Sequence, residues 1–288
     1  PTLCKLLRKG IVRVNGRRVK NNTVLRIGDK INFTRTIQEE QSFDKKGKYN
    51  KKFAEFIKKL VVYKDNFKIL LNKPSGLAVQ GGTNVKLNID IMLDSLKFNL
   101  EERPRLVHRI DKQTSGLLMI ARSLHSSRYY GELFKKREIE KLYLAVVHGI
   151  LKYKVAKIDL KTGIDKSLSS ITLYKVLAQN DELSFLAIKP ITGRKHQIRD
   201  HLNSLGNQIY GETKFNSSKT SAFVSDVKDL HLHSYSLKFQ EQDKSIKKII
   251  APLPDFFMTT LSENGFVNDL TNYDLEFVES ENFKLINK

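Results

Sequence analysis

The sequence predicts an α+β fold in which a large domain with a mixed, largely antiparallel sheet follows a small basic domain. The chain has 288 residues, more than the roughly 100–200 residues of one typical domain. Strand-like segments outnumber helix-like ones, and neighbouring strands often follow each other directly, which favours antiparallel pairing over a doubly wound sheet. Positive charge is concentrated near the amino terminus, which marks that region as a separate unit.

The small domain is predicted over residues 1–35, which carry ten Lys and Arg residues and one Asp, or +9 of the net charge of +20. A short helix before Gly10 is followed by strands over residues 11–20 and 24–33. The Asn-Gly pair at 15–16 is typical of a hairpin turn. The arginines of this hairpin are expected on the face opposite its valines, which are Val12, Val14 and Val19.

Residues 36–58 are rich in Gln, Glu, Lys and Asn and predict a linker, so the large domain is predicted over residues 59–288. Its strands are predicted at residues 61–74, 115–122, 139–149, 171–177, 183–190 and 231–239, and its helices at residues 125–136 and 194–206. An apolar stripe on the second helix leaves Arg194, Lys195 and Arg199 free to bind anions.

The charge balance predicts the class of partner. There are 51 Lys and Arg residues against 31 Asp and Glu residues, which favours an extended polyanion. The single cysteine, Cys4, excludes an internal disulfide and a cysteine-rich zinc site. No apolar run approaches the ~20 residues needed to cross a bilayer. We therefore expect a cytoplasmic protein that binds nucleic acid and no membrane.

A charged loop separates two apolar strands in residues 105–123, RLVHRIDKQTSGLLMIARS. A turn between buried strands needs only about two to five small polar residues, whereas this loop carries His108, Arg109 and Asp111. In a purely structural interpretation, Asp111 pairs with Arg109 or with Lys112. No second carboxylate lies nearby in the sequence to suggest an acid/base pair.

The stretch HRIDKQTSGLL closely resembles the catalytic motif of the RluA-type pseudouridine synthases, usually written HRLDxxTSGL. Three further segments resemble motifs of the same family: LNKPSGLAVQGG at residues 71–82, EKLYLAVVHG at 140–149, and ITGRKHQIRDHLNSLGNQIYGETKF at 191–215. Four motifs in the same order make chance agreement negligible. The basic amino-terminal unit resembles the later part of an S4 RNA-binding domain, so the start of that domain is expected to be missing from this chain.

The resemblance implies isomerisation of uridine in RNA without a cofactor: the N1–C1′ bond breaks, the uracil turns, and a C5–C1′ bond forms. By resemblance, Asp111 is the catalytic carboxylate, which either attacks the sugar or assists an elimination there. Tyr143 matches the tyrosine that packs on the target base, although it could be an ordinary aromatic residue of the sheet. Arg194 is our candidate for the cation that keeps Asp111 ionised. Arg109 matches the arginine that fills the gap left by the flipped uridine.

Other polar residues of the motifs are candidates for binding the substrate. His108 either hydrogen-bonds a phosphate or holds the Asp111 loop, and Lys73 either positions the first-motif turn or contacts a phosphate. Arg122 and Arg199 either bind backbone phosphates or brace the core. No metal site is predicted, because His196 and His201 are five residues apart and do not share a helix face. The candidates for RNA binding in the S4-like unit are Lys9, Arg13, Arg17 and Arg18.

The leading hypothesis is a monomeric pseudouridine synthase that acts on 23S ribosomal RNA in the precursor of the large ribosomal subunit, at a uridine in a stem-loop or a single-stranded segment. A first alternative keeps the enzyme but changes the substrate to transfer RNA or another RNA. A second is a non-catalytic RNA-binding or ribosome-assembly protein. A third is a hydrolase resembling glycosidases, which would need a second carboxylate about 5–9 Å from Asp111.

Overall fold

The structure is a computed structural model that describes residues 7, 10, 12–33, 43–82, 85, 87–162, 168–215, 227, 229–266, 269–277 and 282–287. The chain forms two compact units, Pro1–Lys51 and Lys52–Lys288. Their boundary falls inside the segment that the sequence predicts as a linker. Among the described residues, none of the helices has the length and apolarity needed to cross a membrane.

The first unit contains a three-stranded antiparallel sheet in the order β2-β1-β3, with β1 at Val12–Val14, β2 at Arg17–Arg18 and β3 at Ile31–Phe33. The predicted hairpin turn is confirmed, because Asn15 and Gly16 both have positive φ angles, 49° and 76°. The predicted strand at residues 24–33 is shorter than expected. Most of the helix predicted before Gly10 lies outside the described residues.

The predicted separation of arginines and valines in the hairpin is wrong for Arg17. Arg13 pairs with Arg18, and Val14 pairs with Arg17. Directly opposed residues of an antiparallel pair project to the same face. Arg17 therefore lies on the face of Val14, while Arg13 and Arg18 lie on the other face.

Helix α1, Phe43–Lys59, occupies most of the predicted linker. Phe53, Ile57 and Leu60 follow the spacing of one helix face, and in the second unit they pack with a buried cluster that includes Ile69 and Ile120. Ile57 is fully buried. The end of the predicted linker is therefore part of a packed core, because its few apolar residues share one face.

The second unit is built on a mixed sheet, which confirms the predicted fold class. In its described part the sheet has eleven strands: nine in the order β14-β9-β10-β11-β8-β12-β7-β5-β4, with β13 paired to β12 and β6 paired to β7. Pairing is antiparallel except between β7 and β12 and between β9 and β14. The strands are β4 Val61–Lys64, β5 Lys68–Lys73, β6 Arg105–Leu106, β7 Ser115–Ala121, β8 Glu140–His148, β9 Val155–Thr162, β10 Leu168–Gln179, β11 Leu183–Pro190, β12 Leu232–Gln240, β13 Ile246–Ile250 and β14 Lys284–Ile286.

Four α-helices among the described residues accompany this sheet: α2 Ile89–Met92, α3 Leu124–Lys136, α4 Gln197–Ser204 and α5 Asp255–Glu263. Helix α3 matches its prediction. It begins after Ser123, whose hydroxyl accepts a hydrogen bond from the Ser126 amide, and ends at Arg137, which has a φ of 64°. Helix α4 is shorter than predicted. His196 has a φ of 57°, which is not helical, so the helix begins only at the next residue, Gln197.

The contact between β7 and β12 brings the parts of the site together. Gly116 on β7 has a φ of 102°, and a Cβ atom added there would lie 2.3 Å from the carbonyl oxygen of Ser234 on β12. Only glycine allows this approach. On the other side of β12, Ser234 pairs with Tyr143 on β8. The loop before β7 and the middle of β8 are thereby fixed on either side of β12.

Candidate active site

Three of the four sequence motifs meet in one cleft of about 430 Å³. The cleft is lined by the loop before β7, by β8, and by the segment that joins β11 to α4. Asp111, Tyr143, Arg109 and Arg194 all line it. The structure therefore brings these predicted residues together, although they come from three segments that lie far apart in the sequence.

The carboxylate of Asp111 has a side-chain exposure of 18% and faces two basic side chains. Its Oδ2 lies 2.7 Å from Nδ1 of His196 and 3.8 Å from Nη1 of Arg199. Burial by itself raises the pKa of Asp111. The hydrogen bond with His196, together with the charges of His196, Arg199 and Arg109, outweighs burial and brings the pKa below its ordinary value. Asp111 is therefore an ionised and oriented carboxylate at neutral pH.

The predicted pairing of Arg194 with Asp111 is wrong. Arg194 lines the cleft but is exposed, and the basic groups within ion-pair distance of Asp111 in the described part of the chain are His196 and Arg199. The sequence placed Arg194 on a helix, whereas it lies in the turn before α4. A role for Arg194 at the cleft stays a prediction.

Arg199 is fixed by a second carboxylate. It is 4% exposed, and its Nε and Nη2 each donate a 2.6 Å hydrogen bond to Glu212. Glu212 also accepts a hydrogen bond from the backbone amide of Lys214. A guanidinium held in this bidentate way cannot swing out to a phosphate. Arg199 was predicted either to bind backbone phosphates or to brace the core. The structure supports the second role, and it also places Arg199 facing Asp111.

Gln197 holds the turn that presents His196. Its Oε1 accepts hydrogen bonds from the Thr192 hydroxyl and from the Arg194 amide. Its Nε2 donates to the Ile171 carbonyl and to the Thr172 hydroxyl. From the sequence, His196 was weighed only as a metal ligand, and Gln197 was not among the predicted site residues. The signal that could have found both is their position inside the third motif, TGRKHQIR.

Tyr143 projects into the cleft from β8. Burial raises the pKa of its hydroxyl to about 12, and the charge of Asp111 acts in the same direction. The hydroxyl is therefore protonated at neutral pH. An aromatic ring beside an ionised carboxylate can accept a flat base against its face while the carboxylate acts on the attached sugar.

Lys73 is buried and cannot contact a phosphate. Its ammonium group donates hydrogen bonds to the carbonyl oxygens of Pro74, Leu77 and Lys112, at 2.8, 2.9 and 3.0 Å. Burial lowers the pKa of Lys73 to about 7, although the charge of Asp111 opposes this effect. The assignment of Lys73 to substrate binding is wrong, and its alternative role in positioning the first-motif turn is the one that the structure supports.

His108 also has a supporting role. Its Nε2 accepts a hydrogen bond of 2.8 Å from the Met119 amide, and its ring stacks on Phe134 with centroids 4.1 Å apart. Burial, and then the charge of Lys141, lower the pKa of His108 to about 3, so the ring is neutral at neutral pH. A neutral ring engaged in this way holds the Asp111 loop and does not bind a phosphate through charge.

Arg122 is 2% exposed and braces the core. Its guanidinium donates hydrogen bonds to the carbonyls of Asp65 and Lys97 and to Oδ1 of Asn99. These hydrogen bonds connect the end of β7 to the segments that contain Asp65, Lys97 and Asn99. The predicted contact of Arg122 with phosphate is therefore wrong.

The remaining candidates are exposed, lie outside the described residues or, for Arg13, are half-buried and bonded to the backbone. Arg109 is exposed at the cleft, beside Asp111. In the first unit, Arg17 and Arg18 are exposed, and the Arg13 guanidinium donates to the backbone carbonyls of Gly10 and Gly16. Lys9 lies outside the described residues. RNA binding by these residues stays a prediction.

Comparison with known proteins identifies the family. The RNA pseudouridylate synthase family matches residues 66–204. A protein of Buchnera aphidicola subsp. Baizongia pistaciae, named ribosomal large subunit pseudouridine synthase C, is 34% identical over an alignment that covers 90% of this chain and 87% of the relative. A Borreliella burgdorferi protein, named ribosomal large subunit pseudouridine synthase D, is 32% identical over 74% of this chain and 70% of the relative.

A solved structure shows the same fold. Human RNA pseudouridylate synthase domain containing 4 superposes with a TM-score of 0.63 and 24% sequence identity, and the match covers 75% of this chain and 97% of the human chain. The extent and identity of the sequence matches confirm the resemblance that the four motifs predict. The chain belongs to the RNA pseudouridylate synthase family and is a pseudouridine synthase.

Proposed function

We propose that this enzyme converts uridine to pseudouridine in 23S ribosomal RNA of the large ribosomal subunit, with Asp111 as the catalytic carboxylate. The observation that carries the catalytic part is the 2.7 Å contact between Asp111 and His196 inside a cleft lined by further cations. The names of the relatives from Buchnera and Borreliella support the choice of RNA. A ribosomal target agrees with the cytoplasmic location that the sequence predicts.

In this proposal the target nucleotide turns out of its RNA stack and enters the cleft. Extrusion costs a few kcal/mol, and Arg109, exposed at the cleft, offsets part of that cost by stacking in the gap. The ring of Tyr143 packs against the uracil. Arg194, which also lines the cleft, contacts the RNA there.

Asp111 then acts on the ribose of the bound nucleotide. It is ionised because His196 and Arg199 stabilise its charge, and an ionised carboxylate is the form needed either to attack C1′ or to take a proton in an elimination. The N1–C1′ bond breaks, the uracil turns within the cleft, and C5 bonds to C1′ as Asp111 leaves C1′ or returns the proton it had taken from the ribose. C5 then loses its proton and N1 gains one, so the product is an isomer of uridine. No group outside the chain and the RNA is needed to balance these steps.

Site mapping tests both parts of the proposal. Ribosomal and transfer RNA from a deletion strain, complemented with the parent gene or with Asp111→Asn, would be treated with carbodiimide and analysed by primer extension. We expect stops in 23S RNA that vanish on deletion and return only with the parent gene. If deletion removes stops only in transfer RNA and leaves those in 23S RNA unchanged, the proposed target is overturned. Restoration by Asp111→Asn would overturn the catalytic role of Asp111 and favour a non-catalytic RNA-binding protein.

Electrostatic binding provides a second test. With roughly six phosphates neutralised on a partly single-stranded RNA, the slope of log K against log salt should be about −4. The net charge of +20 motivates this expectation. A slope near zero would show that the basic surface does not bind the RNA.

A further inference from the structure

Two cations stand together at the cleft with no part in the reaction described above. Arg137 is the residue at which α3 ends, and Lys141 is the second residue of β8. Both side chains line the cleft. Neither is among the residues predicted from the sequence. A cation such as Arg137 is common at the end of a helix, and in the motif EKLYLAVVHG only Tyr143 has a predicted role, although Lys141 belongs to the same motif.

Neither cation is neutralised by a carboxylate in the part of the chain that the structure describes. Within the described ranges, no carboxylate lies at ion-pair distance from Arg137 or Lys141. Two nearby acids are already paired, since Glu132 pairs with Lys135 at 3.3 Å and Glu140 pairs with Lys189 at 2.7 Å. The two positive charges are therefore free to act on a ligand.

The two cations also repel each other. Lys141 is only partly exposed, and burial followed by the charge of Arg137 lowers the pKa of Lys141 to about 8. Holding like charges together at a half-buried position costs free energy in the empty cleft. An anion bound between them would remove the repulsion and replace the lost hydration, so the pair is suited to a phosphate.

The backbone holds both cations in place. Lys141 and Tyr143 are two residues apart on β8, so their side chains project to the same face of the sheet, about 7 Å apart along the strand. Arg137 adopts a φ of 64°, and its amide bonds to the carbonyls of Leu133 and Phe134 at the end of α3. The cations thus lie beside the ring that is proposed to hold the base.

We propose that Arg137 and Lys141 form a phosphate-binding subsite of the cleft, which holds the RNA backbone next to the target nucleotide. This inference rests on the proposed function for the identity of the ligand. The subsite takes a phosphodiester of RNA, and its contribution is to binding and not to the chemical step.

The first test measures binding of an oligouridylate of about 12 nucleotides, a length within the range that single-strand-binding grooves cover. The variants are Lys141→Met and Arg137→Asn, since asparagine tolerates the left-handed backbone at 137. We expect each to weaken binding about tenfold at low salt and to reduce the salt slope by about 0.7. The matched control is Lys136→Met, which removes one exposed charge outside the cleft and should leave affinity within about twofold.

The second test measures pseudouridine formation in a 23S RNA transcript. Lys141→Met should raise KM about tenfold and leave kcat within about twofold, because the lost phosphate contact stabilises the bound ground state and the transition state equally. Equal affinities for Lys141→Met and Lys136→Met would overturn the subsite, and so would a fall in kcat with KM unchanged. If the parent enzyme forms no pseudouridine in the transcript while the oligouridylate results hold, the proposed function fails and the subsite stands.

Discussion

The ammonium group of Lys73 donates a 3.0 Å hydrogen bond to the carbonyl oxygen of Lys112, the residue that follows Asp111. With its bonds to the carbonyls of Pro74 and Leu77, this contact joins the first sequence motif to the catalytic loop. A buried cation that donates to three carbonyl oxygens holds the first-motif turn and the catalytic loop in fixed positions relative to each other. This role explains why a lysine stands at this position, where the sequence left open a contact with phosphate or a role in positioning the turn.

Replacing Lys73 should therefore destabilise the fold. Lys73→Met keeps the length of the side chain but leaves carbonyl oxygens without a donor, at roughly 1–3 kcal/mol for each group that stays unsatisfied. We expect the free energy of unfolding to fall by at least about 2 kcal/mol in urea denaturation. The exposed neighbour Lys112→Met is the control and should change stability by under about 0.5 kcal/mol. Similar stabilities for the two variants would contradict this role for Lys73.

The contact between His196 and Asp111 predicts a change in the pH dependence of the reaction. His196→Gly tolerates the positive φ at this position and removes the hydrogen bond that lowers the pKa of Asp111. The carboxyl group then protonates at a higher pH, so the acid limb of the single-turnover rate should move to higher pH. His196→Asn, whose amide can replace Nδ1, should move it less. A lower rate with an unmoved acid limb would show that His196 does not control the ionisation of Asp111.

The Arg199 and Glu212 pair predicts strong coupling in stability. The Glu212 side chain is 1% exposed, so Arg199→Met leaves a buried carboxylate with its main partner removed and should cost about 3–5 kcal/mol. Removing both charges in Arg199→Met with Glu212→Met should recover at least about 1 kcal/mol of that loss. Urea denaturation of the two single variants and the double variant measures the coupling. Additive losses would mean that the two side chains do not stabilise each other.

We expect position 116 to tolerate no residue other than glycine. In Gly116→Ala the new methyl group would collide with the backbone of Ser234, and the φ of 102° is unfavourable for alanine, so we expect a loss of at least about 3 kcal/mol or no soluble protein. Gly131→Ala, inside α3 with open space around it, should instead stabilise by about 0.5–1 kcal/mol. Thermal unfolding distinguishes the two. A Gly116→Ala protein as stable as the parent would contradict the close approach of β7 and β12.

His108 predicts a pH dependence of folding. Its pKa is about 3 in the folded chain and about 6.5 when unfolded, so the unfolded state binds more protons between these values. The contribution of His108 to stability is therefore complete above about pH 6.5 and is lost as the pH falls toward 3. From pH 7 to 5, we expect the parent to lose roughly 1–2 kcal/mol more than His108→Gln in urea denaturation. Parallel pH profiles would show that His108 is not buried in its neutral form.

Much of the second unit could be predicted from sequence because its strands are continuous apolar runs. Residues 115–121 and 183–190 are almost wholly buried and are recognisable without any partner. Strand β9 was missed because its lysines and Asp159 alternate with apolar residues and resemble a polar loop. Helix α5 could not be recognised because its sequence, DFFMTTLSE, is rich in Phe and Thr, which are weak helix formers.

The site could be predicted only in part, because the motifs identify single residues but do not show which of them meet in the folded chain. The motifs identify Asp111 and Tyr143, and the fold brings both to the cleft. The partner of Asp111 could not be predicted, because it lies 85 residues away and depends on where α4 begins. A left-handed residue at His196 sets that start, and no local pattern indicates a histidine in this conformation. The buried roles of Lys73 and Arg122 likewise depend on tertiary packing.

The position of β12 in the sheet has a consequence for biosynthesis. This strand lies between β8 and β7, yet it is made after both, at residues 232–240. Strands β8 to β11 lie on one side of β12, and β7, β5 and β4 lie on the other. A growing chain that has completed β11 must add about 50 further residues before β12 can join these two groups of strands. This takes roughly 2–10 s at ordinary rates of translation. Once the chain has reached residue 199, Asp111, His196 and Arg199 have all been synthesised, but the strand that holds their supports together has not. A nascent enzyme is therefore inactive until its own central strand leaves the ribosome.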